Sequence, residues 1–91
     1  MLNNIEDIEK MVNTNEIMLL KFDNIESKYN EYIDGLDLKV INITDKEIIE
    51  FYDIDILPTV LVYKNNNLID SIQGFQPRTI FLKKILTLTQ N

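Results

Sequence analysis

The chain has 91 residues, and none of them is cysteine or histidine. Without cysteine there is no disulfide, no thiolate metal ligand and no thiol nucleophile. Without histidine no side chain titrates near neutrality at its ordinary pKa. Ser27, Ser71 and the threonines therefore lack the usual activating base. Positive charge is scarce too: nine Lys and Arg stand against fifteen Asp and Glu, a net charge of −6. That balance removes the electrostatic basis for binding nucleic acid or an anionic membrane. No apolar run approaches the roughly 18 residues that a membrane-spanning helix needs. Glu6, Asp7 and Glu9 interrupt residues 1–12, which speaks against a secretory leader, so the cytoplasm is the expected compartment. The sequence shows no repeat, linker or low-complexity segment, and the length suits a single domain over residues 1–91 with one modest core.

What is present alternates between helical and extended patterns. Asn3 or Asn4 can cap a first helix whose Ile5, Ile8, Met11 and Val12 fall on one face, ending at residues 13–15. Residues 16–22 form a short apolar run without alternation, as expected of a central strand covered on both faces. Asp23 and Glu26 have the spacing of a capping box. The helix they open carries Ile25, Tyr29, Tyr32 and Ile33 on one face and stops at Asp34 and Gly35. Residues 36–43 read as a strand parallel to the first, joined by a right-handed crossover. Thr44 and Glu47 repeat the capping box before a helix over residues 44–52 that buries Ile48, Ile49 and Tyr52. Asp53, just after this helix, is one of the few non-glycine residue types that visit the left-handed region at small cost. Residues 59–63 are a β-branched and aromatic run read as a buried strand. Residues 65–67 are asparagines suited to a tight hairpin turn. Residues 68–73 form a fourth strand in no clean alternation, and Pro77 opens a last helix that buries Ile80, Phe81, Ile85 and Leu88.

The stretch from Tyr52 through Leu57, Pro58 and Thr59 to Lys64, followed by a short turn, another strand and Gly74, resembles the second half of thioredoxin-fold proteins. The resemblance is ungapped over residues 44–77. It implies an α/β, thioredoxin-like fold: a four-stranded mixed sheet flanked by helices, in the order helix-β-α-β-α-β-β-α. The implied sheet order is residues 36–43, 17–22, 59–64 and 68–73, with the last two strands antiparallel to the first two and the first strand of the five-stranded form missing. Leu57-Pro58 is a junction at which a cis bond can be held. Thioredoxins carry Cys-x-x-Cys at the start of the helix after the central strand. Here Phe22 runs directly into a capped helix start, and the segment before Val40 is shorter than the resemblance implies. The loop that presents the cysteines looks deleted.

Several residues admit both a functional and a plain structural reading. In the resembled family, Leu57, Pro58 and Thr59 border a groove in which an extended peptide pairs with backbone, a mode that needs no cysteine. Pro58 can equally be retained because it shapes the start of the strand. Gly74 and Phe75 lie beside that groove, with Phe75 a candidate contact anchor. Asp53 and Asp55, with Glu47 and Glu50, form an acidic run that lacks the glycine and terminal glutamate of a calcium loop, so a solvated face is the plain reading. Asp23 lies at a strand end, where α/β folds place sites, but as a lone carboxylate it reads as a cap. No cofactor is expected. The favoured function is a non-catalytic protein-binding or assembly module that binds a protein partner or a second copy, with the edge at residues 36–43 one route to self-association. One alternative is a docking subunit of a thiol-redox system whose cysteines lie in a partner. Another is a metal-dependent enzyme of unrelated chemistry using Asp23, Asp53 or Asp55.

Overall fold

The computed structural model describes residues 5–12, 17–23, 31–32 and 38–89. The chain runs α1 (Ile5–Val12), β1 (Ile17–Phe22), β2 (Lys39–Ile43), α2 (Lys46–Phe51), β3 (Thr59–Lys64), β4 (Asn67–Gln73) and α3 (Arg78–Thr89). Glu31 and Tyr32 are helical. The capping box at Asp23 and Glu26, the remainder of the helix expected after it, its Gly35 stop and the caps of α1 at Asn3 or Asn4 lie outside the described residues.

The strands form one mixed sheet in the order β2-β1-β3-β4. β1 and β2 are parallel and β3 runs against β1. β4 is antiparallel to β3, and is therefore parallel to β1. The expectation that both C-terminal strands oppose the first two is thus corrected for β4. The cause is the tight turn, which reverses the chain: Asn65 and Asn66 both have positive φ (53° and 67°), the backbone of a two-residue hairpin loop. A register shift between Val62 and Tyr63 sets Leu68 opposite Tyr63 but Asp70 opposite Val62. That bulge inserts a residue into β4 and explains why the strand shows no clean alternation.

β1 is the centre of the core. Its side chains point alternately to two faces, and every one from Met18 to Phe22 is buried. Met18, Leu20 and Phe22 pack with Ile8 and Val12 of α1 and with Ile48 and Ile49 of α2. Leu19 packs on the other face with Val60, Val62, Ile72 and the α3 residues Phe81 and Ile85. A helix on each face leaves no solvated side to β1, which is why its sequence does not alternate. In α3 the inward stripe is Phe81 and Ile85 with Leu82 and Leu88 partly covered, whereas Ile80 is 54% exposed. Ile80 precedes the stripe that Phe81 starts and so turns outward, against expectation.

α2 begins one residue later than the capping-box spacing suggests. Asp45, not Thr44, is the cap: its Oδ1 accepts from the N–H groups of Glu47 (2.8 Å) and Ile48 (3.2 Å). A carboxylate at this position also interacts favourably with the helix dipole, an advantage over the threonine hydroxyl. The helix ends with Asp53 at φ 59°, its N–H donating to Glu50 O (3.0 Å) and that of Ile54 to Ile49 O (3.2 Å). These two bonds define a Schellman motif, which satisfies the last carbonyls and turns Ile54 back onto the core. Among the described residues no helix is long and apolar enough to cross a membrane.

The packing of α3 predicts that Phe81→Ala lowers unfolding stability by about 3–5 kcal/mol, while the neighbouring Ile80→Ala stays within about 0.5 kcal/mol; urea denaturation of the two variants checks this. At the end of α2, Asp53→Asn is expected to be near neutral and Asp53→Val to cost about 1–2 kcal/mol, because a β-branched residue resists positive φ. The same denaturation series reads both.

Candidate functional site

The segment that carries the chain from α2 into β3 forms an apex at the end of the sheet. After the turn at Asp53, Ile54 is drawn inward while Asp55, Ile56 and Leu57 remain exposed. The Leu57–Pro58 peptide is cis. Two bonds hold the segment: Thr59 Oγ1 donates to Ile56 O, and Gly74 N–H donates to Pro58 O at 2.8 Å. Gly74 follows β4 with φ 75°, a conformation that favours glycine, and a Cβ built there would lie 3.9 Å from Ile56 Cγ2. The loop before β3 and the loop after β4 are thereby joined.

Phe75 continues from Gly74 with 47% of its surface exposed. Its ring lies 5.7 Å from that of Tyr32, which in turn sits 6.0 Å from the buried ring of Phe81. The exposed phenyl is thus anchored to the core under α3 rather than free to collapse onto the surface. Ile56 and Leu57, 48% and 37% exposed, complete an apolar patch around Pro58 and Gly74. Among the described residues, neither the N–H nor the C=O of Leu57 has a hydrogen-bond partner.

The structure therefore brings Leu57, Pro58, Gly74 and Phe75 together. It treats Thr59 differently. Thr59 is 2% exposed, and its hydroxyl is committed to Ile56 O, so it shapes the apex from beneath and presents nothing to a partner. An arginine at this position would bury a charge. Ile56 is the apex residue that sequence reasoning missed. A helix-end geometry at Asp53 followed by a proline is the signal that makes the intervening residues protrude.

The carboxylates separate. Asp23 is 4% exposed at the end of β1, with its N–H donating to Ile43 O at 3.0 Å. Asp53 and Asp55 are exposed on the α2–β3 segment. Among the described residues no three Asp or Glu side chains converge, as a hard cation would require. Lys21, also unflagged in the sequence, is buried in β1 at 2% exposure. Strand alternation puts it with Leu19 on the face that α3 covers.

No protein-family model and no curated protein matches the sequence. The fold has clear counterparts among solved structures. A point-mutant thioredoxin from Halobacterium salinarum superposes with a TM-score of 0.76 at 14% identity, covering 99% of this chain and 89% of that one. Mitochondrial thioredoxin 3 from Saccharomyces cerevisiae gives 0.72 at 17% identity over 94% and 92% of the two chains. The oxidised thioredoxin from Plasmodium falciparum gives 0.69 at 17% identity over 97% and 95%. Identities this low report architecture and leave activity open. The chain has the thioredoxin fold over nearly its whole length, without any cysteine to perform thiol–disulfide exchange.

Proposed function

We propose that the chain is a thioredoxin-like protein-binding or assembly module that works without thiol chemistry and receives an extended segment of a protein partner at the apex. The observation that carries this reading is Leu57: both of its backbone hydrogen-bonding groups lack partners among the described residues, and it lies within an exposed apolar patch. An extended peptide supplies the matching N–H and C=O groups, and its side chains find Ile56 and Phe75. Backbone pairing gives affinity and the flanking apolar contacts give selectivity, so no reactive group is called for. Exposed hydrophobic residues that occur singly need no explanation, but three gathered around one open backbone segment are a recognised mark of an interaction surface. Thr59 and Gly74 act as positioning residues, fixing Ile56 and Pro58 through their hydrogen bonds.

The test uses the paired substitution Leu57→Ser and Phe75→Ser, which removes apolar contacts without burying a charge. Loss of the Tyr32 ring contact is expected to lower stability by about 1 kcal/mol and leave the fold intact. In affinity capture from native lysate, the wild-type chain should retain a partner that the folded double variant loses. Equal capture by both would move the interface away from the apex and overturn this reading.

A further inference from the structure

A second surface lies on the α1 and α2 face of the sheet, behind the apex. There the β3–β4 hairpin extends beyond the helices and forms the floor of a shallow trough, with the segment after α2 as one wall. Tyr52 and Tyr63 line it and also line an adjoining hollow bordered by Glu9 of α1, so the two hollows together make up the two lobes of the trough. Leu68, 54% exposed, and Ile56, 48% exposed, supply apolar ground in the lobe nearer the apex.

The charge along this trough has one sign. Its lining residues include Glu9, Asp53 and Asp55, all exposed, and among the described residues that line it there is no lysine or arginine. The two phenols do not offset that charge. Burial, and for Tyr52 also the nearby Tyr63 and Glu9, holds both pKa values above the ordinary 10.0, so at neutral pH they are uncharged rings with polar tips. Aromatic faces beside carboxylates suit an alkylammonium or guanidinium group on a long apolar stem.

We propose that this trough binds an extended protein segment in which lysine or arginine alternates with large apolar residues. The cationic groups are read by Glu9, Asp53 and Asp55, and the apolar side chains rest on Leu68 and Ile56. The segment lies across the sheet face rather than along the β4 edge. At that edge Asp70 Oδ1 accepts the Ser71 N–H at 2.8 Å, while Asp70 Oδ2 is 3.8 Å from Lys84 Nζ, so part of the edge is already occupied by side chain. A second copy of the chain is the poorer occupant, because it carries a net charge of −6 itself. The trough meets the apex at Ile56, which borders both, but Leu57 and Phe75 belong to the apex and Glu9, Asp53, Asp55 and Leu68 to the trough, so this proposal does not depend on the apex being used.

The experiment is fluorescence anisotropy with a labelled short peptide alternating Lys and Leu, compared with one alternating Glu and Leu and one alternating Lys and Ser. The wild-type chain should bind the Lys-Leu peptide, more weakly as salt is raised, and bind the other two far less. Combining Glu9→Gln, Asp53→Asn and Asp55→Asn should weaken binding about tenfold, with asparagine preserving the positive φ at residue 53. Leu68→Ser should also weaken it, whereas the Leu57→Ser and Phe75→Ser pair should not. Circular dichroism establishes that each variant is folded. Equal binding of the Lys-Ser peptide would mean unspecific attraction to an acidic chain and overturn the proposal, as would undiminished binding by the neutralised variant. Loss of binding in the Leu57 and Phe75 pair alone would place the segment at the apex, overturning the trough while sustaining the earlier reading. A mass that doubles with concentration and reverts on Leu68→Ser would make the occupant a second copy and overturn the proposal equally.

Discussion

The double burial of β1 is the constraint on which the rest of the molecule depends. A strand with parallel and antiparallel neighbours and covered faces must bury a side chain at every position, and residues Met18 to Phe22 do so. Each fully buried aliphatic or aromatic side chain contributes about 1.5–3 kcal/mol relative to exposure, so this one strand supplies a large part of the stability. It also divides the core into two clusters, one beneath α1 and α2 and one beneath α3. The cost of that arrangement is visible at Lys21 and Asp23, the charged residues that are buried among those described.

The apex follows from how β3 is fed into its place beside β1. α2 must stop abruptly, and the left-handed Asp53 stops it with both of the hydrogen bonds a helix end requires. The chain then crosses the end of the sheet in a few residues, so Ile56 and Leu57 have no layer above them. Gly74, returning from β4, ties the crossing down through Pro58 O. The exposed apolar patch is thus a consequence of topology.

The trough arises differently. β3 and β4 form a hairpin at one side of the sheet, and α1 and α2 concentrate their packing over β1 and β2. The hairpin's face is therefore only partly roofed. Tyr52 and Tyr63 fill the boundary between the covered and open parts, which accounts for their intermediate burial and raised pKa values. Acidic residues accumulate at the rim because Glu9 and Asp55 are on outward positions of their elements and Asp53 is required by the helix end.

The sequence by itself determined the chemistry that is ruled out and the succession of elements. Absence of cysteine excludes thiol exchange whatever the fold. The capped start of α2, the Asn65 and Asn66 turn, the positive φ of Asp53 and the unbroken apolar runs of β1 and β3 are local or nearly local effects, legible because each depends on neighbours a few residues away. Tertiary structure decided which faces are covered. Ile80 points outward because the stripe of α3 begins at Phe81; Thr59 is sealed because its hydroxyl finds Ile56 O; β4 lost its alternation to a bulge in its pairing with β3. Even the cap of α2 moved from Thr44 to Asp45, since the approach of the chain from β2 sets which oxygen reaches the first N–H groups. The placing of Tyr52 and Tyr63 along both the hollow that Glu9 borders and the one that Asp53 and Asp55 border depends on contacts between residues far apart in the chain, and no periodicity in the sequence records it.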